Sequence, residues 1–301
     1  MPRMHNRDAF YKFATLDGAR AMIEHRTLKW SAPTLFNDPF DVQTRIVSGI
    51  NCDRFSDRFT ELYASIVNGE HLPDYFDAAR DIHRFAHYVR TNFNEHQQRE
   101  AIASFRDAAW ETGSHADEHL AKFSNDISAN LQHGRVFCMA EEINNVVMWS
   151  HYAQEHRGVG FKFRVLDEID HIFLAAQPIK YVDSYVNLAD SEGFADHLFG
   201  VKEMDLLSLC WDLVYVKHKD WSYEREWRCY KPLLDEPAGD GLEFWNCTPE
   251  LFEAVYLGCC MSEDNATQIV GLVKQHLPQT EVFRARKSTR SFDLEFDRVY
   301  P

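Results

Sequence analysis

Short runs of alternating hydrophobic and polar residues open the chain and return in its second half. Residues 10–13 and 27–31 have the two-residue period of β-strands, and residues 16–25 between them have the spacing of an amphipathic helix. The strand pattern returns at 135–139, 158–164, 178–182, 225–230, 282–286 and 292–296, and helical spacing occurs at 203–216 and 262–276. We therefore predict an α+β core domain with a mixed, twisted sheet, formed by residues 1–50 and 135–301.

Residues 51–134, between these two parts, have a different pattern. Apolar residues recur at spacings of three and four over four stretches, residues 56–67, 75–94, 97–110 and 116–131. Breaks are expected only near Gly69, Pro73 and Gly113. We predict that this stretch is a helical insertion into the core domain.

The composition narrows the class of protein. Of 301 residues, 45% are hydrophobic and 14% are aromatic, which is enough for a sizeable core and excludes intrinsic disorder. The 47 acidic residues outnumber the 32 basic ones and give a net charge of −15. This charge argues against a general nucleic-acid coat but leaves a local basic groove open. No segment reaches the roughly 20 apolar residues of a membrane helix, so we expect no membrane partner.

The cysteines and histidines give little sign of a metal site. Seven cysteines lie at irregular spacings without a Cys-x-x-Cys pair, which indicates neither a zinc ribbon nor a disulfide framework. Together with an N-terminus that lacks a secretion signal, this predicts a cytoplasmic protein. His83 with His87 and His115 with His119 have helical spacing but lack the adjacent glutamate of a hydrolytic zinc site, so we expect no metal.

The densest group of chemically active side chains lies at residues 148–160. Within nine residues the chain has Trp149, Ser150, His151, Tyr152, His156 and Arg157. Polar groups just before a strand commonly line a cleft, because loops on a rigid scaffold carry sites. The structural alternative, in which Trp149 and Tyr152 are core residues at a helix end, stays open.

A second group, Glu224, Glu226 and Arg228, has the alternate spacing of one strand face. Two carboxylates on one face raise each other's proton affinity unless a cation compensates, and Arg228 has the spacing to do so. Such a group suits stabilisation of a developing oxocarbenium ion, or general-base work on a hydroxyl. A solvated strand face with ordinary ion pairs is the alternative.

Asn37-Asp38-Pro39 is typical of a turn whose side chains bond back to the backbone. If Asp38 and Asp41 converge with Glu224 and Glu226, the four carboxylates would form a metal cluster for nucleic-acid hydrolysis. Metal-dependent hydrolysis of nucleic acid is therefore one of the functions that the residues leave open.

Taken in order, these segments resemble a bacterial family known as domain of unknown function family 2971. The matching pieces are residues 10–13, 27–31, 36–41, 149–153, 156–158 and 223–228. The helical stretch carries none of the matching motifs. The family name implies no activity.

The opening strand, helix and strand also resemble the start of ADP-ribosyltransferases and related NAD-using enzymes. Those folds carry a polar residue on the first strand, a central aromatic or hydroxyl residue and a late glutamate, which correspond here to Lys12, Tyr152 and Glu226. Glu224 completes a Glu-x-Glu pair like that of the arginine-modifying branch. Lys12 departs from the usual His or Arg, and a lysine is a point charge that binds a nucleotide differently.

The resemblance implies an NAD-dependent transferase or NAD glycohydrolase whose acceptor is unknown, with NAD as substrate. Glu226 would be the catalytic carboxylate and Glu224 its helper. The expected cofactor-binding residues are Lys12, Trp149, His151, Tyr152 and Arg228. The expected partners are a small nucleotide and a protein or nucleic-acid acceptor. The alternative is a non-catalytic ligand-binding or sensor protein in stress or phage defence, with the Trp/His/Tyr group as its pocket.

Overall fold

The computed structural model describes residues 2–42, 49–73, 80–184, 190–203, 213–233 and 239–301. The chain divides into two compact units. The first comprises Met1–Gln43, Asn130–Asp183 and Val214–Pro301, and the second comprises Thr44–Ala129 and Ser184–Leu213. The segment from 184 to 213 is part of the second unit and was not predicted to join it.

The described part of the chain is a mixed α/β structure, and its strands lie in the first unit. They are β1 (Ala9–Ala14), β2 (Thr27–Ser31), β3 (Arg135–Ala140), β4 (Val159–Arg164), β5 (Gln177–Pro178), β6 (Lys180–Val182), β7 (Val216–His218), β8 (Glu226–Lys231), β9 (Leu242–Asn246), β10 (Phe252–Leu257), β11 (Glu281–Lys287) and β12 (Leu294–Tyr300). The main sheet is open and has the order β12-β11-β10-β4-β1-β3-β2-β9, with β8 on β3 and β5 on β8. Within it β10 and β11 are parallel and the other pairs are antiparallel, so the expected mixed sheet is confirmed. Strands β6 and β7 form a separate parallel pair.

Strand β3 is the branch point of the sheet. It pairs along its whole length with β8. Its other edge is shared by two strands, since Ala140 pairs with Tyr11 of β1 and Val136 pairs with Ser31 of β2. Because each pairing is confined to one end of β3, β1 and β2 diverge there and a gap opens between them.

The helices are α1 (Leu16–His25), α2 (Cys52–Val67), α3 (Arg80–Asn92), α4 (Glu95–His133), α5 (Val146–Tyr152), α6 (Ser191–Leu198) and α7 (Glu263–His276). Predicted helices at 16–25 and 262–276 correspond to α1 and α7, and Ser262 caps α7 by accepting from the Asn265 N–H as expected. Of the described helices, none has both the length and the apolar composition needed to cross a lipid bilayer.

Aromatic side chains dominate the core of the first unit. Phe10, Phe137, Phe161 and Phe163 are fully buried on neighbouring strands, and α1 and α7 cover them with aliphatic residues. Burying one such side chain contributes about 1.5–3 kcal/mol. The two-residue period of the strands thus specifies which face of the sheet is covered.

Rings from α2 and α4 form the core of the second unit. Tyr63 stacks on Phe105 with centroids 4.0 Å apart. The predicted break at Gly113 is wrong, because this residue lies inside the continuous helix α4. A Cβ at position 113 would lie 2.7 Å from the Phe55 ring, so the glycine permits close helix packing instead of ending the helix.

Two other predicted elements differ from the structure. Of the predicted helix at 203–216, residues 204–212 lie outside the described part, and the end of the stretch is a short 3-10 turn followed by β7. The predicted helix at 75–94 is described only from Arg80, where α3 begins.

An unusual turn connects α5 to β4. Gln154, Glu155 and His156 all have positive φ, at 49°, 53° and 65°. A left-handed backbone costs a non-glycine residue roughly 1–2 kcal/mol. The turn is held because His156 N–H donates to the Trp149 carbonyl and the His156 carbonyl accepts from Cys260 N–H. Gly258 is required beside it, since a Cβ there would lie 2.1 Å from the His156 oxygen.

Candidate functional site

A pocket of about 420 Å³ occupies the gap between β1 and β2 in the first unit. Its walls mix aromatic, basic and acidic groups. Its lining includes Tyr11, Lys12, Phe13, Ser31, Phe36, Asn37, Asp41, Cys138, His151, Tyr152, Lys217, Glu224 and Glu226. A few polar groups converging in a concave, partly aromatic cleft are typical of a small-molecule site.

The floor of the pocket is a buried ion network around Arg228. The Arg228 guanidinium donates from Nε to Glu226 Oε1 at 2.5 Å and from Nη2 to Glu226 Oε2 at 3.0 Å. Nη2 also reaches Asp41 Oδ2 at 2.5 Å, and Nη1 donates to the Val214 carbonyl at 2.9 Å. Arg228 itself is fully buried and lies behind Glu226. It therefore holds two carboxylates from beneath without bordering the cavity.

Lys217 is the second cation of the network. Its Nζ lies 2.6 Å from Glu224 Oε2, 3.1 Å from Glu226 Oε2 and 3.4 Å from Asp41 Oδ2. The ammonium thus occupies the position between three carboxylates that a bound cation would take. The Trp221 ring lies 4.8 Å from the ammonium and adds a cation–π contact.

Glu224 links the network to the cavity wall. Its Oε1 accepts a hydrogen bond of 2.6 Å from the Tyr152 hydroxyl. The Tyr152 hydroxyl is in turn 3.5 Å from Asn37 Nδ2, a long contact at the rim. A chain of polar contacts therefore runs from Lys217 through Glu224 and Tyr152 toward solvent.

The two glutamates differ in their acid–base character. Burial by itself would raise the pKa of Glu226, but the charges of Arg228 and Lys217 outweigh it and hold the pKa well below its usual range. Burial raises the pKa of Glu224, and the nearby Glu226 charge adds to the effect against the pull of Lys217. Burial likewise raises the pKa of Asp41, against the pull of Arg228. Glu226 is a fixed anion, whereas Glu224 and Asp41 are closer to exchanging a proton.

Helix α5 brings Tyr152 to this network because Asn145 fixes its start. The Asn145 side chain accepts from the N–H groups of Val147 and Met148, which caps the helix. The same side chain donates to the Tyr223 carbonyl at 2.5 Å. One residue therefore ties α5 to the 3-10 segment Lys219–Glu224 and sets the distance from Tyr152 to Glu224.

Lys12 and Cys138 line the same pocket, and the Cys138 side chain is hydrogen-bonded to Glu226. Lys12 Nζ donates to the Cys138 carbonyl at 2.7 Å and lies 4.9 Å from the centre of the Phe137 ring. Burial lowers the pKa of Lys12 and raises the pKa of the Cys138 thiol, which Glu226 raises further. Burial thus shifts both groups toward their neutral forms.

The remaining predicted residues fall on the two sides of α5. His151 is exposed at the rim of the pocket, where its Nδ1 is 3.0 Å from the Tyr223 hydroxyl. Trp149 is fully buried, packs edge-on against Phe13 and donates its indole N–H to the Ile143 carbonyl. Trp149 does not line the cavity, so a nucleotide bound in the cavity would not touch its ring.

The predicted single strand face for Glu224, Glu226 and Arg228 is only partly right. Strand β8 begins at Glu226, and Glu226 and Arg228 share its buried face. Glu224 instead ends a 3-10 turn, and Arg225 between them is left-handed at φ 43°. Both carboxylates reach Lys217 across the left-handed residue Arg225, a geometry that strand periodicity could not predict.

Sequence reasoning missed Lys217 and Asn145. Asn145 precedes an apolar run and has the signature of a helix cap, which could have been found. Lys217 carries no comparable signal, because a charged residue between Val216 and His218 is typical of an exposed strand edge. Its carboxylate partners are Glu224 and Glu226, seven and nine residues further on, and the distant Asp41.

The metal alternatives find little support in the described residues. Asp41, Glu224 and Glu226 do converge, but on Lys217 and Arg228 instead of on an open space, and Asp38 accepts from the Phe40 N–H in the predicted turn. In the second unit, His83 bonds the Phe199 carbonyl, while His115 and His119 border a separate pocket with His197. Across the ranges given above, no three His, Cys, Asp or Glu side chains form a group suited to a metal ion.

Comparison with known proteins adds one result. Residues 148–229 match the DUF2971 family, described as a protein of unknown function. This match supports the predicted family resemblance over these residues, which are less than half of the chain. No curated protein and no solved structure matches the chain. The DUF2971 match includes Tyr152, Lys217, Glu224, Glu226 and Arg228, so one matched segment supplies most of the ion network, while Lys12 and Asp41 lie outside it.

Proposed function

We propose that the pocket of the first unit binds NAD and that the protein breaks the bond between nicotinamide and ribose, as an ADP-ribosyltransferase-like or NAD glycohydrolase-like enzyme. The observation that carries the proposal is the hydrogen-bonded chain Lys217–Glu224–Tyr152 at the cavity wall. It supplies a carboxylate of raised pKa beside an aromatic ring in one concave site.

The geometry favours Glu224 over Glu226 as the carboxylate that touches the reacting atoms. Both oxygens of Glu226 are taken up by the two cations, and its pKa is held low. Glu224 keeps one oxygen directed to the Tyr152 hydroxyl, a partner that a ribose hydroxyl can replace. In this proposal Glu226 supplies fixed negative charge and Glu224 acts as the base. These roles are the reverse of those that the resemblance to ADP-ribosyltransferases implies.

The proposed reaction proceeds by departure of nicotinamide. The bond from ribose C1′ to the nicotinamide nitrogen breaks, its electron pair stays on that nitrogen, and C1′ becomes an oxocarbenium ion. Fixed carboxylates near C1′ stabilise this positive charge in a site with little water. A water molecule or an acceptor hydroxyl then attacks C1′ through its oxygen. Glu224 takes the proton that this oxygen loses.

Aromatic side chains are suited to hold the nicotinamide ring. Tyr152 and Phe36 are half-buried, and both line the cavity. Stacking of this kind contributes about 0.5–1.5 kcal/mol beyond the area it buries. The volume of the pocket lies within the range of about 300–1,000 Å³ usual for small-molecule sites.

The test is release of nicotinamide from NAD, followed by chromatography. Glu224→Gln is nearly isosteric and keeps the contact with Lys217, but it removes the base. We expect it to lower the release rate by about 10²-fold or more, the usual contribution of a general base. Glu24→Gln, on the exposed face of α1, is the matched control and keeps the wild-type rate.

Two results would contradict the proposal. One is calorimetry in which the wild-type protein takes up no NAD. The other is a Glu224→Gln variant that releases nicotinamide as fast as wild type, with folding of both proteins checked by thermal denaturation.

A second candidate is a ligand-binding or sensor protein that uses the same pocket without chemistry. It is favoured by one observation, that Glu224 and Glu226 both already have protein partners for each of their oxygens. Under this alternative NAD or another nucleotide binds, no nicotinamide is released, and Glu224→Gln changes affinity alone.

A further inference from the structure

Lys12, which is half-buried, differs from the buried Lys217 of the same unit in its surroundings. Lys217 has three carboxylates within 3.4 Å. Lys12, which borders the same pocket, donates to a backbone carbonyl and faces the ring of Phe137. Among the residues that the structure describes, no carboxylate forms an ion pair with it.

An ammonium group in such a place is poorly stabilised. A neutral carbonyl and a ring face offset only part of the hydration that a lysine loses on burial. The groups that act on Lys12 electrostatically are Cys138, Glu226, Lys29 and Glu224, and burial outweighs them, so its pKa is lowered. The uncharged amine, which carries a lone pair, is thereby favoured.

The neighbours of Lys12 are those that amine chemistry needs. Asn37, Ser31 and the Tyr152 hydroxyl border the cavity and offer hydrogen bonds to hydroxyl groups of a ligand. Glu224, whose pKa is raised, borders it too and can exchange a proton with a bound molecule. A polyhydroxylated carbonyl compound fits this lining.

We propose that Lys12 is a nucleophilic amine that forms an imine with the open-chain aldehyde of a small sugar. This inference goes beyond the cleavage of NAD and does not depend on it, although the terminal ribose of ADP-ribose formed in the pocket would be one source of such an aldehyde.

The reaction balances without an oxidant or a reductant. The lone pair of Lys12 Nζ forms a bond to the carbonyl carbon, and the carbonyl π pair moves to oxygen, which takes a proton as the nitrogen loses one. The oxygen then takes a second proton and leaves as water while the nitrogen pair completes the C=N bond, and the nitrogen gives up its remaining proton to yield the neutral imine. The sum is amine plus aldehyde giving imine plus water, with Glu224 available to pass the protons.

The test traps the imine in the full-length wild-type protein. D-glyceraldehyde, the smallest sugar aldehyde, is added with sodium cyanoborohydride, whose hydride reduces the C=N bond to a stable secondary amine. Peptide mass spectrometry then gives the labelling rate at each lysine. We expect Lys12 to react on the order of tenfold faster than Lys162 or Lys29.

These two lysines are matched references. Lys162 is half-buried on the adjacent strand β4 but is paired with Glu253 at 2.6 Å, and Lys29 is exposed on β2. The preference should vanish when the chain is unfolded in urea before labelling, since it depends on the pocket. Lys12→Arg keeps a positive charge and should lose this one fast adduct, whereas Lys162→Arg should keep it.

Native labelling of Lys12 at or below the rate of Lys29 and Lys162 would overturn the proposal, as would an unchanged preference in the unfolded chain. No NAD is present in this experiment. A failure here is therefore separate from a failure of the proposed glycosidic cleavage, and the site-resolved rates need no variant to be interpreted.

Discussion

The main sheet carries the same kinds of ion pair in two very different settings. Around β8, Arg228 is fully buried and binds Glu226 and Asp41. On the edge pair β11–β12, Arg286 binds Glu295 and Asp297 while half of its side chain stays exposed. The partners have the same chemistry, and only their access to water differs.

Burial, not the number of ion pairs, decides what a charge does in this molecule. At the edge, water and salt screen the charges, and such pairs are worth about 0–1 kcal/mol. In the buried network, each charge has lost its water, so removal of one partner leaves another uncompensated. The charges of this network displace pKa values strongly, downward for Glu226 and upward for Arg228.

The largest loss of stability is expected for Arg228→Met. The substitution keeps much of the side-chain volume but leaves Glu226 and Asp41 with Lys217 as their remaining cation. We expect a loss of about 3–5 kcal/mol in the free energy of unfolding, measured by urea denaturation. A loss below about 1 kcal/mol would mean that the buried network behaves like a surface pair.

A second, smaller effect concerns pH and the charge of Glu226. The folded-state pKa of Glu226 lies below its unfolded value of about 4.3. Its contribution to stability is therefore complete above that value and is lost as the pH falls through the folded-state pKa. Asp41 and Glu224, whose pKa values are raised, have the opposite dependence and lose their contribution as the pH rises.

Glu226→Gln should accordingly flatten the acid side of the stability curve. Urea midpoints measured between about pH 3 and pH 7 should fall less steeply toward low pH in the variant than in wild type. The slopes, not the absolute stabilities, are compared, since the variant also weakens the bond to Arg228. Equal slopes would show that the charge of Glu226 is not what couples this network to protons.

The smallest effect is expected at the exposed edge. Arg286→Ala removes the pairs with Glu295 and Asp297 and should change the free energy of unfolding by about 0–1 kcal/mol. The same urea titration, repeated at high salt, should reduce the difference further. A loss comparable to that of Arg228→Met would remove the distinction between the two settings.

Local pattern was enough to predict most of the sheet. The runs at 10–13, 27–31 and 135–139 lie within β1, β2 and β3, because alternation records which residues face the core. The branching at β3 could not be predicted from alternation, because it depends on how strands distant in sequence share one edge. Gly113 shows the same limit, because its role is set by the ring of Phe55 on another helix.

The part of the site that was predicted consists of residues that lie close together in the sequence. Glu224, Glu226 and Arg228 lie so close in sequence that their meeting could be expected. Tyr152 was found through its dense polar neighbourhood, although the same reasoning also selected Trp149, which is a core residue. Lys217 was missed because what distinguishes it is the burial imposed by residues elsewhere in the chain.

The contact between Asp41 and Arg228 has a consequence for how the chain reaches its native state. These residues are 187 positions apart, and Lys12 bonds to a carbonyl 126 positions away. Contacts of such long range form slowly, because much of the chain must be ordered before its ends meet. Until Asp41 arrives, the guanidinium of Arg228 has Glu226 and the Val214 carbonyl as partners but lacks its second carboxylate. The pocket is therefore expected to be among the last parts of the first unit to assemble, and a partly folded chain would contain a formed sheet without a formed site.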